Sequence, residues 1–326
     1  MTTTKLSNNF IENCEATIAK VQEELRNNEW KGKYENYAKD IALNLEMIKK
    51  KKKQFHQWEP INLYMNITQA KGSTNFSLRY LGQNIAALNV KNNEVFISTE
   101  KSTLQNKKNF GIDTVLKNVE WSSKEAANFR KKFQKKPKRM DHGKKNNEHR
   151  IENVLLKEFA KKSASTKQIT NIQPVKLADT AYFQMPTALR ASKQNKINFA
   201  EKGGGIDILA RIKKGSKSTL CIMEVKDENK PNEPATKAIQ QALAYATFIR
   251  ELLRSDGGKT WWKLFGFNGA LPQKLNLIVA VAMPDGDKQE MFSEGIEFII
   301  ENDKLILHQL YFKTEGDKLK IVKHTF

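Results

Sequence analysis

Cysteine is almost missing from this chain: Cys14 and Cys221 are the only two among 326 residues. Two cysteines build neither a disulfide framework nor a Cys-rich zinc site, and the compartment they suggest is a reducing cytoplasm. No apolar run reaches the roughly 18 residues that a membrane helix needs. The opening segment, MTTTKLSNNFIENCEA, lacks the basic-then-apolar order of a secretory signal. Several catalytic signatures are absent too, among them H-E-x-x-H and G-x-S-x-G. Gly258-Lys259-Thr260 resembles the end of a phosphate-binding loop, but Leu253 stands where its first glycine belongs, which excludes that ATPase loop. Acidic residues are comparatively scarce, 36 against 56 basic, leaving a formal charge of +20.

What is present fits a folded protein of roughly two domains by length, with 39% hydrophobic residues to build a core. A balance this basic predicts a polyanionic partner, with nucleic acid the leading candidate. Residues 1–150 hold 29 basic and 16 acidic side chains, a net +13, so the excess is concentrated there. Two runs stand out, Ile48–Phe55 (IKKKKKQF) and Phe129–Lys145 (FRKKFQKKPKRMDHGKK). Each is either a solvated segment or a set of phosphate contacts. From the second run, Lys131, Lys132, Lys135 and Lys136 are the candidate nucleic-acid contacts.

Hydrophobic spacing predicts helices over residues 8–53, with Phe10, Cys14, Ile18, Val21 and Leu25 near a 3.6-residue period. Past Pro60, four short β-rich runs (Ile61–Ile67, Phe76–Leu81, Asn84–Val90, Glu94–Ser98) predict a small antiparallel sheet. Ser122 and Glu125 have capping-box spacing ahead of a helix through Phe129 and Phe133. The basic stretch around Pro137 is the expected domain boundary, separating an N-terminal α+β module (1–137) from a second domain (138–326). That second domain reads as a helix carrying Ile151, Leu155 and Phe159, a polar loop over 162–178 and paired strands over Gly203–Ile212 and Ser218–Lys226. A long helix at Pro234–Arg254 and a fully apolar strand at Leu275–Met283 follow. This order predicts an α/β layer. His142 and His149 fall in a charged, Asn-rich linker, and Trp261, Trp262, Phe265 and Phe267 read as core rather than as base-stacking residues.

The segment Gly203–Lys230 carries the chemistry. If its two strands turn around Lys214–Lys217, opposed residue numbers sum to 431, and Asp207 falls opposite Glu224 on one face. Period-two alternation sends Glu224 and Lys226 to one face, and Met223 and Val225 to the other. Two carboxylates this close repel unless a cation or proton intervenes. Hard oxygens without histidine or cysteine suit magnesium or manganese, and the Lys226 ammonium suits a phosphodiester undergoing hydrolysis.

Asp207, then Glu224-Val225-Lys226 at the end of the next strand, then Gln241-x-x-x-Tyr245 on the following helix, resemble the PD-(D/E)XK nuclease superfamily, in its RecB-like and lambda-exonuclease-like branch. The likeness spans about Glu148–Met283. It departs from the usual Pro-Asp in having Gly205-Ile206 ahead of Asp207. The resemblance implies a restriction-endonuclease-like core, a mixed central sheet flanked by helices, in the C-terminal half. It implies Mg2+-dependent hydrolysis of DNA, with RNA not excluded and a homo-oligomer left open. Asp207, Glu224 and the Val225 carbonyl would hold the ion. Lys226 would serve the water, and Gln241 and Tyr245 would face the site and substrate. Relatives also place a glutamate on the first core helix; Glu152, beside the Leu155/Phe159 stripe, is the choice here over Glu148 and Glu158. The alternatives are a catalytically silent nucleic-acid binder of the same fold and an assembly protein with a basic surface.

Overall fold

The structure is a computed structural model and describes residues 8–27, 29–55, 60–67, 73–92, 94–99, 114–134, 148–191, 197–201, 203–227, 234–286, 295–315 and 318–326. The chain is a mixed α/β protein with two mixed seven-stranded sheets flanked by helices. No described helix is long and apolar enough to cross a membrane.

Helices α1 (Asn8–Glu24) and α2 (Glu29–Phe55) open the fold. Phe10, Cys14, Ile18, Val21 and Leu25 of α1, and Trp30, Tyr34, Ile41 and Ile48 of α2, are buried. The 3.6-residue period places each set along one apolar stripe. The lysine run continues α2 as its basic end, where Lys52 pairs with Asp179 at 3.0 Å.

The first sheet contains β1 (Ile61–Asn66), β2 (Ser73–Tyr80), β3 (Gln83–Lys91), β4 (Glu94–Ser98) and β5 (Val119–Glu120), joined by antiparallel pairings. The four-strand antiparallel sheet expected from the sequence is therefore only part of it. From beyond residue 137, β8 (Ala181–Gln184) pairs parallel to β1, and β7 (Lys176–Leu177) pairs with β8. The first sheet thus takes strands from both sides of residue 137, and Pro137 itself lies outside the described residues. Helix α3 (Lys124–Gln134) buries Ala126, Phe129 and Phe133. Its N-terminal cap is Ser123 rather than the expected Ser122: the Ser123 hydroxyl accepts from the Ala126 N–H at 3.2 Å.

The second sheet has strand order β14-β15-β13-β12-β11-β6, with β16 (Lys318–His324) on β15. Its members are β6 (Ile172–Pro174), β11 (Ile208–Lys214), β12 (Lys217–Val225), β13 (Asn276–Pro284), β14 (Glu297–Ile300) and β15 (Asp303–Glu315). Strands β12, β13 and β15 run parallel, and β6 and β11 are antiparallel additions. The polar segment 162–178, expected as a loop, supplies the edge strand β6 as well as β7. A two-stranded piece, β9 (Leu189–Arg190) with β10 (Asn198–Phe199), precedes the second sheet's hairpin.

The crossover from β12 to β13 is α5 (Ala235–Leu253), followed by the short α6 (Gly258–Leu264). Leu220 and Ile222 face the cluster that holds α5, α1 and α2, together with Trp261, Trp262, Phe265 and Phe267. Cys221, Met223 and Val225 face the cluster under α4 (Glu148–Ala160), with Ile151, Leu155 and Phe159. The central strands are covered on both faces, as their unbroken apolar runs predict.

Candidate metal centre

The hairpin register is the one the sequence predicts: Ile208 pairs with Met223 and Lys213 with Ser218, so numbers sum to 431. A tight turn between Lys214 and Lys217 fixes that register for the whole ladder. One step before β11, Asp207 thereby comes level with Glu224, and its Oδ2 accepts the Val225 N–H at 2.8 Å. Glu224 and Lys226 lie on the α5 side of β12 and are only 3% and 7% exposed. Val225 is buried on the other side, with its main chain against Asp207.

Lys226 ties the group together. Its Nζ donates to Glu224 Oε1 at 2.8 Å and to Gln241 Oε1 at 2.9 Å, and lies 3.6 Å from Glu148 Oε1. Gln241 also hydrogen-bonds the Tyr245 hydroxyl. The i, i+4 spacing on α5 makes this relay possible. Tyr245 is 1% exposed. Its hydroxyl packs against the Gly203-Gly204-Gly205 segment so closely that a Cβ on Gly204 would lie 2.2 Å from the oxygen. Tyr245 therefore stands behind Gln241, not open to a substrate as the resemblance implied.

The third carboxylate is Glu148, the first residue of α4, rather than the expected Glu152. Ligand oxygens of Glu148, Asp207 and Glu224 all lie within 4.8 Å of one another, so this triad could hold a metal ion. Glu152, one helical turn on, is 3% exposed. It meets Arg79 of β2 at 4.0 Å and His149 at 3.5 Å. Asp227 was not singled out from the sequence. Its Oδ2 accepts the Glu148 N–H at 3.2 Å, capping the helix that presents Glu148. An aspartate just past E-x-K and a helix start rich in Asn and Glu are the only sequence signals for that contact.

The electrostatics follow from this crowding. Burial pushes the Asp207 carboxyl well above its ordinary range, and Glu224, Glu148 and Glu152 push it further, against the Val225 N–H. Burial pulls Lys226 down, but Glu224, seconded by Glu148 and Asp207, overcomes it and raises the ammonium above the usual lysine value. Among the described residues, the three carboxylates meet one ammonium, Lys226, a local negative excess. A hard divalent cation would neutralise it with oxygen ligands alone.

Of the candidate nucleic-acid contacts, Lys131 and Lys132 are exposed on α3, while Lys135 and Lys136 lie outside the described residues, as does His142. No protein-family model matches the chain, and neither a curated protein nor a solved structure is detectably similar to it.

Proposed function

We propose that the protein is a divalent-metal-dependent nuclease that hydrolyses DNA phosphodiester bonds, and that the second sheet with α4 and α5 is a restriction-endonuclease-like core. The observation that carries this reading is the meeting of Glu148, Asp207 and Glu224 within 4.8 Å, with Lys226 in direct contact. Those three carboxylates would hold Mg2+ or Mn2+, which supplies charge to polarise the phosphate and lowers the pKa of a bound water.

The chain's own groups do the rest. The Lys226 ammonium, already aimed by Glu224 and Gln241, has a third N–H to offer a water or a phosphate oxygen as negative charge builds. Gln241 holds that ammonium in place, and Tyr245 holds Gln241. Glu152, paired with Arg79 and His149, steadies α4 from the side of the first sheet. The exposed Lys131 and Lys132, together with the overall +20, would attract the backbone.

The test is digestion of plasmid and oligonucleotide DNA with Mg2+ or Mn2+, beside Glu224→Gln and Lys226→Met. Metal-dependent cleavage that both variants abolish is expected. Cleavage that survives in both removes the site, and cleavage of RNA alone changes the substrate.

A further inference from the structure

The first sheet has an unusual second face. Leu63, Phe76, Leu88 and Phe183 turn toward the apolar cluster. At alternate positions, Gln184 pairs with Asn66, Asn66 with Asn75, and Asn75 with Asn89, so four amides form one row across β8, β1, β2 and β3. The row continues on β4 with Phe96, and all five side chains are partly exposed. Asn89 Nδ2 donates to Asn75 Oδ1 at 2.8 Å, which aligns the amides laterally.

Asparagine is a poor strand former, and a solvated sheet face is ordinarily built from threonine and mixed charge. A row of amides instead presents paired donors and acceptors without charge, the chemistry that reads base edges rather than phosphates. Next along the same face, the Tyr64 and Ser77 hydroxyls are buried with no hydrogen-bond partner among the described residues. One step further, Asn62 bonds Asn153, and Arg79 reaches Glu152 at 4.0 Å, both on α4. The face thus runs from the amide row toward the helix that begins with Glu148. Four residues along β1, from Asn66 to Asn62, cover about 13 Å. Lys176, paired with Tyr182 and lying over its ring at 4.5 Å, adds positive charge to the face, whereas the buried Arg79 is balanced by Glu152 and donates to the Gln184 side-chain carbonyl at the end of the row.

Resting on the nuclease reading, we propose that this face binds an unpaired stretch of nucleic acid beside the cleavage centre, with its bases on the amide row. Duplex does not suit it. Four strands at about 4.8 Å spacing span about 14 Å between the outer strand axes alone, wider than a major groove of about 12 Å.

Anisotropy of a labelled single-stranded 20-mer and of its duplex, read in EDTA, tests this with the whole chain. Wild type is expected to bind the single strand more tightly. Asn75→Asp/Asn89→Asp is expected to weaken that binding at least tenfold while Mn2+ affinity is unchanged. Equal single-strand binding by the variant, or a wild-type preference for duplex, overturns the assignment. A second measurement does not depend on how the double variant folds. Cys14 and Cys221 are buried, so an Asn75→Cys thiol reacts selectively with maleimide. The oligonucleotide should slow that reaction at least fivefold. A rate it leaves unchanged, or a slow rate without it, overturns the proposal. Failure of the metal centre reads out separately, as absence of Mn2+ binding by wild type.

Discussion

Removing one negative charge from the triad should stabilise the metal-free protein. Asp207 shares its surroundings with Glu224 and Glu148 at oxygen separations within 4.8 Å. At an effective dielectric of about 20, two unit charges at that distance repel by about 3 kcal/mol. Asp207 carries this repulsion toward two neighbours, offset in part by Lys226 and by the Val225 N–H. Asp207→Asn keeps an acceptor for that N–H and removes the charge. We expect a net gain on the order of 1–3 kcal/mol, a rise of a few degrees in Tm. The pH dependence has a definite sign. The Asp207 carboxyl lies above its ordinary 3.8, so the folded state binds the proton more tightly than the unfolded chain. Its contribution is complete below 3.8 and is lost as pH rises through the elevated value. The gap between variant and wild type should therefore widen with pH. Saturating Mn2+ should reverse the order: a ligand at 100 times its Kd adds about 2.7 kcal/mol to wild type, and far less to the variant. Differential scanning calorimetry in EDTA and in Mn2+, at pH 5 and pH 8, measures all of this. A metal-free variant that melts below wild type at pH 8, or equal Mn2+ shifts in both proteins, would refute the reasoning.

Lys226→Met should lower cleavage by roughly 100-fold or more, as losing one donor to developing oxyanion charge does; a steady-state assay that finds activity intact would remove the ammonium from the mechanism. Gly204→Ala forces a Cβ to within 2.2 Å of the Tyr245 hydroxyl. It should cost about 1–3 kcal/mol in a urea melt, most of it recovered in Gly204→Ala/Tyr245→Phe. Asp303→Asn breaks a buried hub. Asp303 accepts from Arg250, Arg254 and the Leu275 N–H, and these more than offset the burial that would raise its carboxyl, leaving it below its ordinary value. A loss of about 3–5 kcal/mol is expected near pH 7, shrinking as acid protonates the wild-type carboxylate.

Local rules made the hairpin legible. A turn closing at Lys214 and Lys217 fixes every pairing up to Ile208–Met223, and alternation then decides which side Glu224 and Lys226 take. Helical spacing puts Gln241 and Tyr245 on one face, but spacing alone reads as an ordinary amphipathic edge, and only the likeness to the nuclease motif singles the pair out. Glu148 was not legible. Apolar spacing locates the buried stripe of α4 but not the tilt that brings its first residue, rather than Glu152, to Asp207. The parallel pairing of Tyr64 with Tyr182 joins residues more than 100 positions apart, and no local signal reports it. Strand β6 is three residues long, too short for a period to register. Ser122 and Ser123 compete for one cap, and spacing alone favoured the wrong serine.

The parallel docking of β8 on β1 has a practical side. A fragment starting at residue 138 would carry β8 with its ladder groups bare, and one stopping at 137 would leave β1 equally unsheathed. Raw edges of that kind recruit other chains into aggregates. Dissection of this protein by truncation would then report on precipitation, whereas point substitutions in the intact polypeptide keep both edges sealed.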